Sequence, residues 1–198
     1  MRTRIQASIR AAPSDSPRAA TMGGMFSLRM NDAALDSLGL LRGPAAAEPP
    51  GGLAAGLRDR IRTGIARRGA VLTWADSTAN AAGAPGIFRD LTAWECADSS
   101  FHLEDAVDVT VDVTDGVPAI SEDDQRVLLR QGVAFALEFA RLVRALDPPA
   151  AVRCILGANE TNATFRFHQI RPGERWNLPD LDEYELDKMV VADVEVGA

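Results

Sequence analysis

Residues 151–157 (AVRCILG) and 163–170 (ATFRFHQI) are two β-rich runs separated by Ala158-Asn159-Glu160-Thr161-Asn162. Turn-forming residues between two such runs predict an antiparallel hairpin. Successive side chains of a strand point to opposite faces, so Val152, Cys154 and Leu156 share one side of the first run. Phe165 and Phe167 share one side of the second. The other sides carry Arg153, Arg166 and His168, with Glu174 following, which predicts a polar face open to solvent. Asn159-Glu160-Thr161 and Asn162-Ala163-Thr164 match the glycosylation acceptor pattern, but with no secretion signal they read as an Asn-rich turn.

Upstream of the hairpin, residues 121–147 predict one long helix of about 40 Å. Ser121 stands at the N-cap, Asp124 at the capping-box position, and Pro148-Pro149 end it. Leu128, Gly132, Phe135, Phe139, Leu142 and Leu146 form its inner stripe, widened by Leu129, Val133, Ala136, Ala140 and Val143. Arg126, Arg130, Glu138, Arg141 and Arg144 mark the wet side.

The flanks add shorter elements. Residues 106–114 (AVDVTVDVT) alternate strictly and read as a strand with Val107, Val109, Val111 and Val113 inward, Asp108 and Asp112 outward. Residues 26–30, 70–75 and 189–196 also read as strands. A helix capped by Asn31/Asp32 is expected through about Leu41, and residues 53–68 predict an amphipathic helix on the stripe Leu53, Leu57, Ile61 and Ile65. One-sided strands interleaved with one long and two shorter helices predict an α+β fold, a mainly antiparallel sheet with the helices packed on one face.

With 198 residues, 46% apolar and 25% charged, the chain has the composition of one globular domain over 22–198, with a Pro/Gly loop at 43–52. Residues 1–21 hold four Arg and no apolar pattern, and read as an unstructured tail or an overextended start before Met22 or Met25. Every basic residue but Lys188 is Arg, a bias typical of GC-rich bacterial genomes. Two cysteines without a disulfide framework, no secretion signal and no apolar run of membrane-spanning length point to a bacterial cytosol and no membrane association.

The net charge of −7 disfavours nucleic acid and favours basic partners. It concentrates near the end of the chain, where Asp180, Asp182, Glu183, Glu185 and Asp187 surround Leu181, Tyr184 and Leu186. Together with Asp108 and Asp112 this predicts a partner-facing acidic surface. Tyr184 is counted with it as a contact residue.

No phosphate loop, nucleophile elbow, dinucleotide fingerprint or metalloprotease helix occurs. Cys96, Cys154, His102 and His168 lack the spacings of a zinc site, so no metal or cofactor is expected. The leading expectation is a non-enzymatic binding protein of inhibitor, immunity or assembly-subunit type that engages a basic protein. The alternative is a small enzyme of specialised metabolism. Its pocket would lie between the sheet and the loops at 76–86 and 99–105, with His168 or His102 as general base.

Overall fold

The computed structural model describes residues 25–39 and 49–195. The expected tail at 1–21 and residues 43–48 of the Pro/Gly loop lie outside them. In chain order the elements are β1 (Phe26–Met30), α1 (Asp32–Leu38), α2 (Ala55–Thr63), β2 (Ile65–Arg68), β3 (Val71–Trp74) and α3 (Leu91–Ser99). There follow β4 (Phe101–His102), β5 (Asp112–Thr114), β6 (Val117–Ala119), α4 (Glu122–Arg144), β7 (Val152–Ala158), β8 (Ala163–Gln169) and β9 (Lys188–Val194).

Five strands form one sheet in the order β1-β9-β7-β8-β4, and every pairing is antiparallel. With four helices beside it, the architecture is α+β. The hairpin β7–β8 is its centre, closed by a turn in which Asn159 Oδ1 accepts from the backbone N–H of Thr161 (2.8 Å) and Asn162 (3.0 Å). Asn suits this position because its short side chain replaces a missing backbone acceptor.

Helix α4 covers one face of the sheet. Ser121 caps it by accepting from Asp124 N–H (3.2 Å), and its hydroxyl donates to Asp124 Oδ2 (2.7 Å). The arc from Leu128 to Val143 is buried as the spacing predicts, with Leu142 and Leu146 half-buried at its margin. Gly132 sets how closely the helix approaches β7, since a Cβ there would stand 2.5 Å from Leu156 Cδ2. Between helix and sheet lies an aromatic cluster. Phe135 meets Phe165 at 4.7 Å between ring centres, Phe139 meets Phe167 at 4.8 Å, and Trp74 meets Phe167 at 5.1 Å. These edge-to-face and tilted contacts suit the ring quadrupoles and add to the burial of large apolar area.

Three segments depart from the expectation. The helix expected over 53–68 stops at Thr63, because Gly64 takes φ 74°, and the chain turns into the hairpin β2–β3. Trp74 thereby enters the core from outside the main sheet. The strand expected over 106–114 is the clearest miss. The chain leaves the sheet after His102, and the Ala106 backbone presses on Gly56 of α2, where a Cβ would meet Ala106 O at 2.7 Å. Val107 is buried, but only residues 112–114 are extended, in a separate two-stranded ribbon with β6. The alternation is present in the sequence, but the segment pairs only with β6 and not with the main sheet. Helix α3, finally, was not anticipated. Asp90 caps it by accepting from Ala93 N–H at 2.7 Å.

Removing the ring of Phe139, which is fully buried against three aromatic neighbours at 4.8–5.6 Å, should cost about 3–5 kcal/mol. Arg141→Ala on the exposed side, paired only with Glu138 one turn away, should change stability by under about 0.5 kcal/mol. Urea titration of the two variants checks the orientation of α4, and equal losses would contradict it.

Candidate functional site

The second face of the sheet is not open to solvent, contrary to the reading of Arg153, Arg166 and His168 as a wet surface. The segment 171–187 runs back across it as a strap. Leu181 packs with Ile155, Met189 and Val191 into a small second core, and Tyr184 lies against it. Farther along the same face Arg153 pairs with Asp193 through Nε (2.7 Å) and Nη2 (2.8 Å), and buried Asn177 of the strap lies beside it. Those bonds to Asp193 raise the Arg153 pKa above its ordinary value, against the opposing pull of burial.

His168 lies in this covered layer at 2% exposure. Its Nδ1 lies 2.7 Å from Gln169 O; a carbonyl can only accept, so Nδ1 carries the proton. Nε2 is buried without a hydrogen-bond partner. Burial, reinforced by the nearby charges of Arg153 and Arg171, lowers the pKa, although the Gln169 carbonyl and Glu95 act the other way. The imidazole is therefore neutral at physiological pH and sealed from a substrate. Both cysteines are equally closed: burial pushes Cys96 to about 12 and Cys154 well above its ordinary value, so neither supplies a thiolate.

Helix α3 seals the edge of β8 beyond the short β4. Ser99 Oγ donates to Phe167 O and accepts from Phe167 N–H, both at 2.8 Å. Glu95, with no exposed surface, accepts from Leu72 N–H and Gln169 N–H at 2.7 Å each, and from both terminal nitrogens of Arg171 at 2.7 Å. A buried carboxylate is tolerated here because its oxygens are saturated and its charge is matched.

His102 occupies a different setting, exposed at the mouth of a cleft of about 290 Å³ between α2 and residues 101–106. Its Nδ1 lies 3.0 Å from Glu104 Oε1, while Glu104 Oε2 accepts from Ala163 N–H at 3.0 Å. Arg60 separates this cleft from a second, of about 400 Å³, lined by Asp76 to Ala79 and Asp98. The Arg60 guanidinium sits 4.2 Å from the Trp74 ring centre and pairs with Asp76 at 3.0 Å. The loop beginning at residue 76 thus does border a cleft, and so does the 99–105 segment. The structure brings His102 there and puts His168 elsewhere.

Acidic side chains gather at the end of the sheet where β7 ends, β8 begins and β9 begins. Asp32 and Asp36 lie on α1, Glu122, Asp123 and Asp124 open α4, and Glu160 sits in the hairpin turn. The strap adds Asp180, Asp182, Glu183, Glu185 and Asp187, and the ribbon adds Asp112 and Asp115. Backbone and side-chain bonds tie these pieces together: Asp32 N–H donates to Asp182 (2.8 Å), Asn159 to Asp187 (2.8 Å) and Ile120 N–H to Glu160 O (2.7 Å). At this end Lys188 is held by Glu122 and Gln125, and Arg126 by Asp123.

The ribbon that carries Asp112 and the strap residue Asp187 are therefore both fastened to the hairpin turn, although 75 positions separate them in sequence. Asp108 is exposed on the irregular segment that leads to the ribbon, not on a strand shared with Asp112. Asp182 and Asp187 also accept hydrogen bonds that hold the strap, and Tyr184 accepts from Leu178 N–H at 3.0 Å. Glu183 and Glu185 are exposed. Of the acids of α1 and of the α4 N-terminus the sequence singles out only Asp32 and Asp124, as capping residues, and the tertiary structure reveals that these acids lie beside the strap. Among the described residues no three His, Cys, Asp or Glu side chains are placed to hold a metal ion, and no helix is long and apolar enough to cross a membrane.

Two outcomes test this arrangement. Glu95→Gln should destabilise by about 3–5 kcal/mol, because it leaves Arg171 uncompensated and turns an amide N–H₂ toward a backbone donor. A denaturant midpoint unchanged within error would mean that the clamp is dispensable. His168 supplies a pH signature. Its folded pKa lies below the ordinary 6.5, so the unfolded chain takes up the proton first. The associated stability is complete above pH 6.5 and declines as pH falls beneath that value. His168→Phe lacks this proton uptake, so its melting temperature should fall less steeply than that of the unaltered chain between pH 7.5 and 5, about one unit above the 6.5 reference and somewhat below it. Parallel curves would show that the imidazole does not contribute.

Comparison with known proteins adds one assignment. No curated protein and no solved structure gives a significant match. A family model does match, over residues 53–196, from just before α2 to just past β9. The chain belongs to the Uncharacterized protein PM0498 family.

Proposed function

We propose that this chain is a non-enzymatic binding protein whose acidic end engages a basic protein partner. The observation that carries the reading is the gathering of carboxylates from α1, α4, the hairpin turn, the strap and the ribbon onto one end, against Lys188 and Arg126. Side chains of like sign at close range repel, and the acids that make no bond holding the fold gain from their placement only when they meet something positive. A potential of one sign over a whole end raises the encounter rate with an oppositely charged surface. A solid aromatic core, sealed cysteines and a sealed His168 agree with a protein that presents a surface rather than a chamber. An inhibitor, an immunity protein or a subunit of a larger assembly fits, acting in the cytoplasm.

The competing reading is a small enzyme. It is favoured by the carboxylate-oriented His102 at the cleft mouth, where Nε2 could act as a base. The acidic end supports binding more strongly, because the cleft is open to solvent and a water-excluded site is what strengthens catalytic electrostatics.

Glu160, Glu183 and Glu185 are exposed and bear no side-chain bond that holds the fold. Their joint replacement by Gln should leave the thermal melt unchanged or slightly raised. Association with a lysine-rich peptide, followed by stopped-flow fluorescence at about 20 mM salt, should slow several-fold, and the difference should shrink near 0.5 M salt as screening shortens the reach of charge. An unchanged rate and salt dependence would remove the main support for the binding reading.

A further inference from the structure

The small ribbon β5–β6 is the part of the acidic end that charge does not explain. Asp115 and Gly116 take φ 54° and 81°, the two positive values of a type I′ turn, so the strands pair tightly and project together. Val113 faces Pro118 across the ribbon, and Val111, two residues earlier, lies on the same side. These valines are 67% and 38% exposed, and Val117 on the reverse side is 56% exposed. Ile120, at the base, is buried and fastens the ribbon to Glu160 of the hairpin turn. Leu186 of the strap, 87% exposed between Glu185 and Asp187, adds a fourth bare apolar side chain at the same end.

A two-stranded ribbon of three residues a side has too little buried area to be held by its own packing. Several apolar side chains grouped on a projection are also unlike the scattered exposed residues of an ordinary surface, of which Ile87 is an example here. Asp108, Asp112 and Asp115 border the valines, and Glu122, Asp123 and Glu160 lie at the base. An apolar centre inside a charged rim is the anatomy of a protein interface. The rim sets the occupant, since it repels phosphate backbones and anionic lipid headgroups and attracts lysine and arginine.

We infer that the β5–β6 ribbon, with Leu186, is the apolar anchor of this end and seats in an apolar groove on a basic protein. The inference rests on the acidic end being a binding surface and adds where contact energy, rather than encounter rate, arises.

The full chain, labelled for methyl and amide NMR, is titrated with a peptide of alternating lysine and leucine and with its lysine–serine counterpart. The lysine–leucine peptide should shift the resonances of Val111, Val113, Val117 and Leu186 most. V113S/V117S should weaken that peptide about tenfold, the consequence of losing one to two buried aliphatic contacts, and leave the lysine–serine peptide unaffected. Ile87→Ser serves as the remote control and should change neither. If both peptides bind alike and the ribbon does not shift, the anchor is refuted while the acidic surface stands. If neither peptide binds, the acidic-surface reading falls and the anchor with it. In the free chain the valine methyls should be fully relaxed by a soluble paramagnetic agent and sedimentation should give a monomer. Protected methyls would mean that the ribbon is covered by the chain's own residues, and a dimer abolished by V113S/V117S that a second copy covers it; either result overturns the inference.

Discussion

The carboxylate of Glu95 joins three separate pieces of this structure. It receives the Leu72 N–H from the β2–β3 hairpin, the Gln169 N–H from the end of β8, and both arms of Arg171, where the strap begins. The two backbone bonds satisfy N–H groups of β3 and β8. β4 pairs with β8 only at Phe101–Phe165 and His102–Thr164, so the rest of that edge has no strand to satisfy it. Glu95 and Ser99 of α3 take its place. A buried unpaired donor costs about 1–3 kcal/mol, so a helix that supplies acceptors at two such positions stabilises both the edge and itself.

The same charge pair fixes the direction of the strap. From Arg171 the chain crosses to Asn177 beside Arg153, lays Leu181 over Ile155 and Val191, and ends where Asn31 Nδ2 donates to Asp187 O at 2.7 Å. The sheet is thus buried on both sides, by α4 and the aromatic cluster on one and by a polar-apolar layer on the other. Polar residues survive in the second layer because they are paired: Arg153 with Asp193, Asn177 with the Leu178 carbonyl. His168 is half satisfied: its Nδ1 donates to the Gln169 carbonyl and its Nε2 is bare.

Strap and acidic surface are one object. Asp182 caps the first turn of α1 and Asp187 holds Asn159, while Glu183 and Glu185 face outward from the same few residues. The segment closes the sheet and at the same time carries charge to the end where α4 starts. The three acids of the α4 first turn suit the positive end of that helix, so part of the charge there has a local stabilising reason. Glu160, Glu183, Glu185 and the ribbon acids have none, and the proposed binding role rests on them.

Strong local patterns in the sequence were enough to determine the hairpin at 152–169, the last strand and the long capped helix. Alternation at period two, an Asn-rich turn and a Ser cap act within a few residues of themselves. Phe135, Phe139, Phe165 and Phe167 were legible as core on the same grounds, and so was the concentration of acid in 180–187. The tertiary structure decided the rest, because it depends on which partners are left over. Residues 106–114 alternate as a strand should, but the chain leaves the sheet after β4, and only 112–114 pair, with β6. His168 alternates onto a polar face, yet the strap 171–187 covers that face and leaves the imidazole neutral and enclosed. The joining of Asp32, Glu122, Glu160 and Glu185 at one end follows from the register of β1, β9 and β7, a long-range pairing that no stretch of sequence encodes alone.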